Sequence, residues 1–191
     1  MQELFQYPSY LIRTKPFVLF GGIYQVYDGF GDLVFTCRRE VFKLKKTLHL
    51  YAGDGGPEIL TIHARRIAEL VSAYDVFETP TQAHVGTLKR NYIRSIMRDE
   101  WEIMNAEEAH IGELREDSTQ WALVRRYLLN LVPQVFYATV AGGIVAEYRQ
   151  NFNPFLLKIK VDFSPDIRNV YDRRLGLAAG LLLAAVERRQ R

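Results

Sequence analysis

Residues 175–186 read LGLAAGLLLAAV, twelve apolar positions in a row. Leucine and alanine are among the strongest helix formers, so this stretch predicts a helix despite its two glycines. A surface helix needs a polar face, and this one has none. Spanning a bilayer takes about 20 apolar residues, whereas about 10–14 are typical of a buried core helix. Charged residues end the stretch on both sides, so we expect the helix to lie inside the protein, wrapped by the rest of the chain.

Short segments of alternating polarity precede this helix along almost the whole chain. Each is rich in Val, Ile, Tyr, Phe or Thr and is bounded by turn residues, which is typical of an antiparallel barrel or sandwich. Twelve strands are predicted, at 10–13, 23–27, 33–38, 47–51, 59–65, 73–78, 84–90, 100–104, 111–115, 134–140, 144–149 and 155–163. The turns between them include 28–32 (DGFGD), 53–57 (GDGGP), 79–82, 105–108 and the pair Gly142-Gly143.

One further helix is predicted between two of the strands. Asp117 or Ser118 can cap it, apolar residues from Trp121 to Leu131 follow at helical spacing, and Pro133 ends it. No linker or low-complexity stretch divides the chain, so residues 1–191 are predicted to form a single domain.

Composition sets broad limits on function. The chain has 191 residues, 48% hydrophobic and 25% charged, with a net charge of +3, as in an ordinary globular protein. This mild basicity permits contact with anionic surfaces but does not favour nucleic-acid binding. Cys37 is the only cysteine, which excludes an intrachain disulfide and zinc sites of several thiols. Residues 1–10 do not resemble a signal peptide, so a cytoplasmic location is predicted, with peripheral membrane contact as its extension.

Four sets of residues resemble the LURP-one-related branch of the tubby C-terminal fold, which phospholipid scramblases share. They are 24–29 (YQVYDG) with 32–35 (DLVF), 74–77 (YDVF) with 85–90 (VGTLKR), 99–103 (DEWEI) with 111–112, and 172–175 (DRRL) before the last helix. The resemblance implies a closed barrel threaded by a hydrophobic helix. Tubby domains bind phosphoinositide head groups, so it also implies anionic lipids as ligands. The Cys- and Pro-rich extension of vertebrate-type scramblases has no counterpart here, so no palmitoyl anchor is expected.

Basic residues in the first half of the chain are the candidate lipid-binding residues. We select Lys43, Lys45, Lys46, Arg65 and Arg66, because neighbouring strands could bring them into one patch for phosphate head groups. The alternative is an ordinary solvated face, since a half-buried strand exposes a polar residue at every second position.

Acidic residues before the last helix, Asp162, Asp166 and Asp172, invite comparison with the calcium region of scramblases. Calcium takes six to eight oxygens, and arginines at 168, 173 and 174 interleave with these carboxylates. Asp172 also fits a helix N-cap, which is the interpretation that we favour. No metal site and no cofactor are therefore predicted.

No catalytic set stands out in the sequence. The four histidines, at 49, 63, 84 and 110, lie on separate segments, and no nucleophile or phosphate-loop motif is present. Trp101 and Trp121 are expected to pack in the core rather than to stack on a ligand. A barrel filled by a helix has no central room for a substrate, so the chain is predicted not to be an enzyme.

The sequence therefore predicts a non-enzymatic tubby-like domain that binds anionic phospholipid head groups peripherally, without spanning the membrane. Two alternatives stay open: a protein-interaction scaffold with an unknown partner, and an enzyme with an unrecognised site.

Overall fold

The computed structural model describes residues 2–14, 22–40, 47–68, 71–91, 100–117, 134–151 and 157–187. Twelve strands and one α-helix account for most of them, preceded by a short 3-10 turn at Gln2–Phe5. The strands are β1 (Ser9–Thr14), β2 (Ile23–Asp28), β3 (Leu33–Arg39), β4 (Thr47–Ala52), β5 (Glu58–Ala68), β6 (Val71–Glu78), β7 (Ala83–Asn91), β8 (Glu100–Met104), β9 (His110–Glu116), β10 (Val135–Val140), β11 (Gly143–Gln150) and β12 (Lys158–Asp162). The helix α1 is Arg173–Glu187.

The strands form a closed antiparallel barrel in which each strand pairs with its neighbours in the chain. Closure joins β1 to β12, with Tyr10 opposite Val161 and Ile12 opposite Ile159. The predicted fold is confirmed, because all twelve predicted strands correspond to observed ones and the last helix follows them. The predicted helix at 118–131, with Trp121, and the predicted start of the last strand at Phe155 lie outside the described residues.

The connections alternate between the two ends of the barrel. Those at 29–32, 53–57, 79–82, 105–109, 141–142 and 163–172 meet at the end where α1 begins, which we call the upper end. The opposite end is called the lower end. At the upper end, Ala141 and Gly142 form the β10–β11 turn, both with positive φ (50° and 78°). The predicted turn pair was Gly142-Gly143, but Gly143 already belongs to β11.

The helix α1 occupies the barrel interior. Leu177, Leu181, Leu182 and Leu183 are buried, as predicted. Contacts of α1 reach β7 on one side and β12 and β1 on the other, and these strands lie on opposite sides of the barrel. The chain therefore wraps its one continuous apolar segment completely, because no face of that segment suits water.

Two glycines in α1 permit this close fit. A Cβ atom at Gly180 would lie 2.8 Å from Ile12 Cδ1 and 2.9 Å from Val161 Cγ2. At Gly176 it would meet the ring of Phe163 and would lie 2.9 Å from Tyr171 Cε1. Small residues at these positions let the barrel wall approach the helix backbone.

The start of α1 is held by polar groups at the upper end. Asp172 accepts a hydrogen bond from the backbone N–H of Arg174 (2.9 Å), so it acts as the predicted N-cap. The hydroxyl of Tyr148 donates to the carbonyl of Gly176 (3.0 Å) from inside the barrel. Burial raises the pKa of Tyr148 well above its ordinary value, so this donor stays protonated across the physiological pH range.

Candidate functional site

The predicted lipid-binding residues fall mostly outside the part of the chain that the structure describes. Arg65 lies on β5 and Nη2 is 3.3 Å from Asp75 Oδ1, while Nη1 is 3.0 Å from Glu108 Oε1. Arg66 lies opposite Ser72 of β6, and its side chain lies outside the described part of the chain. Lys43, Lys45 and Lys46 lie there as well. Of the five, the structure therefore describes the side chain of Arg65, which is already bound to two carboxylates.

Arg65 belongs to a network on the outer face of β5–β7 and the β8–β9 hairpin. Thr87 Oγ1 donates a hydrogen bond to Asp75 Oδ1 (2.8 Å), and His84 Nε2 lies 3.2 Å from the same hydroxyl. His84 Nδ1 in turn donates to the carbonyl of Ala106 (2.8 Å) in the hairpin. Asp75 and Thr87 are both buried. This network fastens the hairpin to the barrel wall.

Two more cations on this side of the barrel have carboxylate partners. Lys89 lies opposite Glu102 in the strand register, with 3.0 Å between Lys89 Nζ and Glu102 Oε2. Arg115 lies opposite Glu100, with an Nη2–Oε1 distance of 3.1 Å. We call the surface of Arg65, Lys89 and Arg115 with these partners the paired wall. Its positive charges are matched within the protein.

A second polar cluster joins β4, β5 and the β6–β7 turn. Glu58 Oε1 accepts hydrogen bonds from Thr61 (2.6 Å), His49 Nδ1 (2.9 Å) and Thr79 (3.1 Å). Partial burial raises the pKa of Glu58, but the hydrogen bonds from Thr61, His49 and Thr79 outweigh it, so the net pKa is lowered. The carboxylate is thus held in its ionised form, with its acceptor capacity directed to its own neighbours.

The opposite side of the barrel differs in its charge pairing. In the register of β1 and β12, Arg13 lies directly opposite Lys158. On the next strand pair, Arg149 of β11 lies directly opposite Lys160 of β12. All four are at outward positions, where they alternate with buried Ile12, Ile159 and Tyr148. We call Arg13, Arg149, Lys158 and Lys160 the basic wall.

Two carboxylates accompany the basic wall, both on the same strands. Arg149 Nη2 lies 2.7 Å from Glu147 Oε1, and Lys160 Nζ lies 3.2 Å from Asp162 Oδ2. Even so, the side chains of Arg149 and Lys160 are 61% and 57% exposed. The guanidinium of Arg13 lies over the ring of Tyr27, 4.8 Å from its centroid. Within the described ranges no carboxylate forms an ion pair with Arg13 or Lys158, so this surface keeps an excess of positive charge.

The acidic residues near α1 are engaged with the backbone. Asp166 is buried and accepts from the N–H groups of Val170 and Tyr171, both at 3.0 Å. Asp162 accepts from the N–H of Ser164 (2.9 Å). Burial raises its pKa, but hydrogen bonds from Ser164 and Lys160 more than offset this, and the net pKa is lowered. These carboxylates order the connection before the helix.

Three further features bear on the candidate sites. Trp101 is buried against Tyr74, in line with the packing role expected for it. Burial raises the pKa of the Cys37 thiol strongly, so this cysteine is held in the unreactive protonated form. In the part of the chain that the structure describes, no helix has the length and apolar character needed to cross a membrane.

A closed twelve-strand barrel around a central apolar helix defines a tubby-like barrel domain. A model of the LURP-one-related family matches residues 9–183, and the chain belongs to that family. The X-ray structure of the Arabidopsis thaliana protein AT5G01750 is similar, with a TM-score of 0.51 and 17% sequence identity over 95% of this chain and 93% of that one. This likeness supports the fold alone. A search of curated proteins gives no match.

The basic wall was not predicted from the sequence. Its residues lie at positions 13, 149, 158 and 160, and they become neighbours only when β12 closes the barrel against β1. Alternation within 158–162 (KIKVD) signals two outward lysines on one strand. The register of the closing strand pair is needed to place Arg13 beside them.

Proposed function

We propose that this domain is not an enzyme and that it binds anionic phospholipid head groups peripherally through the basic wall. The observation that supports this proposal is the two like-charged pairs in the strand register, Arg13 opposite Lys158 and Arg149 opposite Lys160. Like charges directly opposite each other on a sheet are destabilising. An external anion that binds between them would relieve that repulsion.

Simple electrostatics gives the size of the expected attraction. A lysine or arginine near an anionic membrane contributes about 1 kcal/mol to binding. Exposed charges are screened over about 10 Å at 0.1 M salt, so binding should weaken as salt rises. Four cations with two carboxylates leave two positive charges in excess, which gives a weak and reversible attachment of the kind expected for a peripheral protein. The absence of an enzyme activity is supported by the interior, where α1 fills the space that a substrate would need.

Lys43, Lys45 and Lys46 stay in the proposal as a second basic contact. They follow Arg38 and Arg39, the last residues of β3, which ends at the lower end of the barrel. Arg38 is exposed and its guanidinium lies over the ring of Tyr51, 5.4 Å from the centroid. The alternative function, a scaffold that binds another protein, would use the same outer surfaces. A vesicle-binding experiment distinguishes the two functions.

The test is co-sedimentation with vesicles of phosphatidylcholine, with or without a phosphatidylinositol phosphate. The wild-type protein should sediment with the anionic vesicles at low salt and stay in solution with phosphatidylcholine alone. In the variant Lys158→Gln/Lys160→Gln, the loss of two cations should weaken binding about thirty-fold. A second variant, Lys43→Glu/Lys45→Glu/Lys46→Glu, tests the other contact. It should sediment less with the same anionic vesicles, and its melting temperature should not change.

The matched control is Lys89→Gln/Arg115→Gln, which removes the same charge from the paired wall. It should bind almost as the wild type does, because Lys89 and Arg115 both have carboxylate partners, whereas Lys158 has none among the described residues. Failure of the wild-type protein to sediment with anionic vesicles at low salt would refute the proposal and favour the scaffold function. Equal losses in both double variants would show that only net charge matters, which contradicts a specific basic wall.

A further inference from the structure

Large apolar side chains are exposed at one end of the barrel. Among the described residues these are Phe30, Ile144, Ile167 and Val170, and Phe30 and Ile167 are 89% and 92% exposed. Phe30 lies in the β2–β3 turn, Ile144 follows the β10–β11 turn, and the other two lie between β12 and α1. All four are therefore at the upper end, on connections or, for Ile144, in the strand residue just after one. We call them the apolar rim.

The turn that bears Phe30 is held by a buried carboxylate. Asp28 is 5% exposed, and its Oδ1 accepts hydrogen bonds from the N–H groups of Phe30, Gly31 and Asp32, each at 2.9 Å. These bonds fix the backbone on both sides of the phenylalanine. Its ring is thus presented to the outside by a rigid turn, and ordering it on binding costs little entropy.

The connection that bears Ile167 is built in the same way. Asp166 is buried and binds the N–H groups of Val170 and Tyr171. Asn169, directly before Val170, has a positive φ of 51°. A buried aspartate again holds a short loop whose apolar side chains point away from the protein. In two separate loops at one end, a buried aspartate thus holds the backbone so that apolar side chains are exposed.

The two loops are neighbours through the start of β1. The N–H of Phe163 donates to the carbonyl of Pro8 (2.8 Å), and Tyr10 lies opposite Asp28. Strands are about 4.8 Å apart, so β12 and β2, which flank β1, are separated by about 10 Å. Phe30 and Ile167 can therefore meet the same flat surface.

The residues around the apolar rim indicate what kind of surface the rim would bind. The strands below it, β11, β12 and β1, bear the basic wall, and Lys160 lies two residues before the upper end of β12. At the same end, Asp32 is exposed beside Phe30, and Asp54, Glu107 and Glu108 are exposed on the β4–β5 and β8–β9 connections. The side formed by β11, β12 and β1 thus combines apolar tips with the excess positive charge of the basic wall. This combination is complementary to an anionic lipid bilayer.

We propose that Phe30 and Ile167 insert into the interfacial region of an anionic bilayer while the basic wall contacts the head groups. The proposal rests on the proposed function and adds a hydrophobic contribution and an orientation to it. The barrel meets the membrane with the side formed by β11, β12, β1 and β2, tilted toward its upper end. Because apolar burial is not screened by salt, part of the binding should persist where electrostatic attraction fades.

The test uses the full chain and vesicles of phosphatidylcholine with a phosphatidylinositol phosphate over a salt series. Phe30→Ser/Ile167→Ser should weaken binding about tenfold or more and remove the part that resists salt. Ala106→Ser, in the exposed β8–β9 turn at the same end, is the matched control and should bind as the wild type does. Thermal melts of all three proteins should coincide, because both replaced side chains are exposed in the free protein.

A second measurement tests directly whether the side chain at position 30 enters the bilayer. Phe30→Trp should show fluorescence quenching by vesicles that contain brominated acyl chains, beyond any quenching of the wild-type protein. Full, salt-resistant binding by Phe30→Ser/Ile167→Ser, with no added quenching in Phe30→Trp, would overturn the insertion while the basic wall proposal stands. A wild-type dimer that the double serine variant abolishes, with vesicle binding unchanged, would assign the rim to a second copy of the chain instead. If the wild-type protein ignores anionic vesicles altogether, the proposed function itself fails.

Discussion

The two sides of the barrel differ in which charges lie opposite each other on neighbouring strands. On the paired wall, Lys89 faces Glu102 and their charged atoms are 3.0 Å apart. On the basic wall, Arg13 faces Lys158 at the same kind of register position. A favourable charged pair of this kind contributes about 0.2–1 kcal/mol, and a like pair destabilises. Both sides enclose the same helix, so the fold does not require the like-charged pairs, and an external ligand is the simplest reason for them.

The largest effect is expected from the interior that both walls share. Leu182→Asp would place an unpaired carboxylate against the apolar barrel lining, at a cost of several kcal/mol. We expect this variant to lose its cooperative thermal transition, measured by circular dichroism. Leu182→Met, which nearly conserves volume, should cost less than about 1.5 kcal/mol. A folded and monodisperse Leu182→Asp protein would contradict the central position of α1.

An intermediate effect is expected on the paired wall. Asp75→Ala would leave the buried hydroxyl of Thr87 without its acceptor and Arg65 without one of its two carboxylates. The free energy of unfolding should fall by about 1–3 kcal/mol, measured by urea denaturation. Glu108→Ala removes the exposed partner of the same arginine and should cost less than about 1 kcal/mol. Equal losses in the two variants would show that the network contributes no more than an exposed ion pair.

The smallest effect, and the most direct test of the comparison, is a charge reversal made once on each wall. Lys158→Glu would turn a like-charged pair into an opposite one, so the free energy of unfolding should rise by about 0.2–1 kcal/mol. Lys89→Glu would place a second negative charge opposite Glu102 and should lower the free energy of unfolding. Denaturant midpoints of the two variants should therefore move in opposite directions. Destabilisation by Lys158→Glu would mean that Lys158 has a structural partner and that the basic wall is not held ready for a ligand.

The fold could be predicted because its signals are local. Alternation of apolar and polar residues in segments such as 23–28 and 158–162 marks strands without knowledge of their partners. The twelve apolar positions that end at Val186 exclude a surface helix by composition alone. Turn residues near Asp28 and Gly142 then limit where each strand can end.

The candidate site was harder to predict because it depends on register. Arg65 looked available for a phosphate group, but its partners Asp75 and Glu108 come from the next strand and from a hairpin about 40 residues away. The basic wall needs the closing register of β1 with β12, which sets Arg13 beside Lys158. Small shifts of register would change both pairings, and a list of basic residues holds no such information.

Closure of the barrel around a helix also dictates the order of folding. The β1–β12 pairing joins Tyr10 to Val161, and the ring that this contact completes encloses residues 175–185. The wall therefore cannot close productively until the helix exists and is in place, and most of the chain must be synthesised first. Until then the strand edges and the leucines of α1 lack their final partners. Folding should be slow, as contacts between distant parts of the chain require, and most dependent on chaperones just before the last strand pair forms.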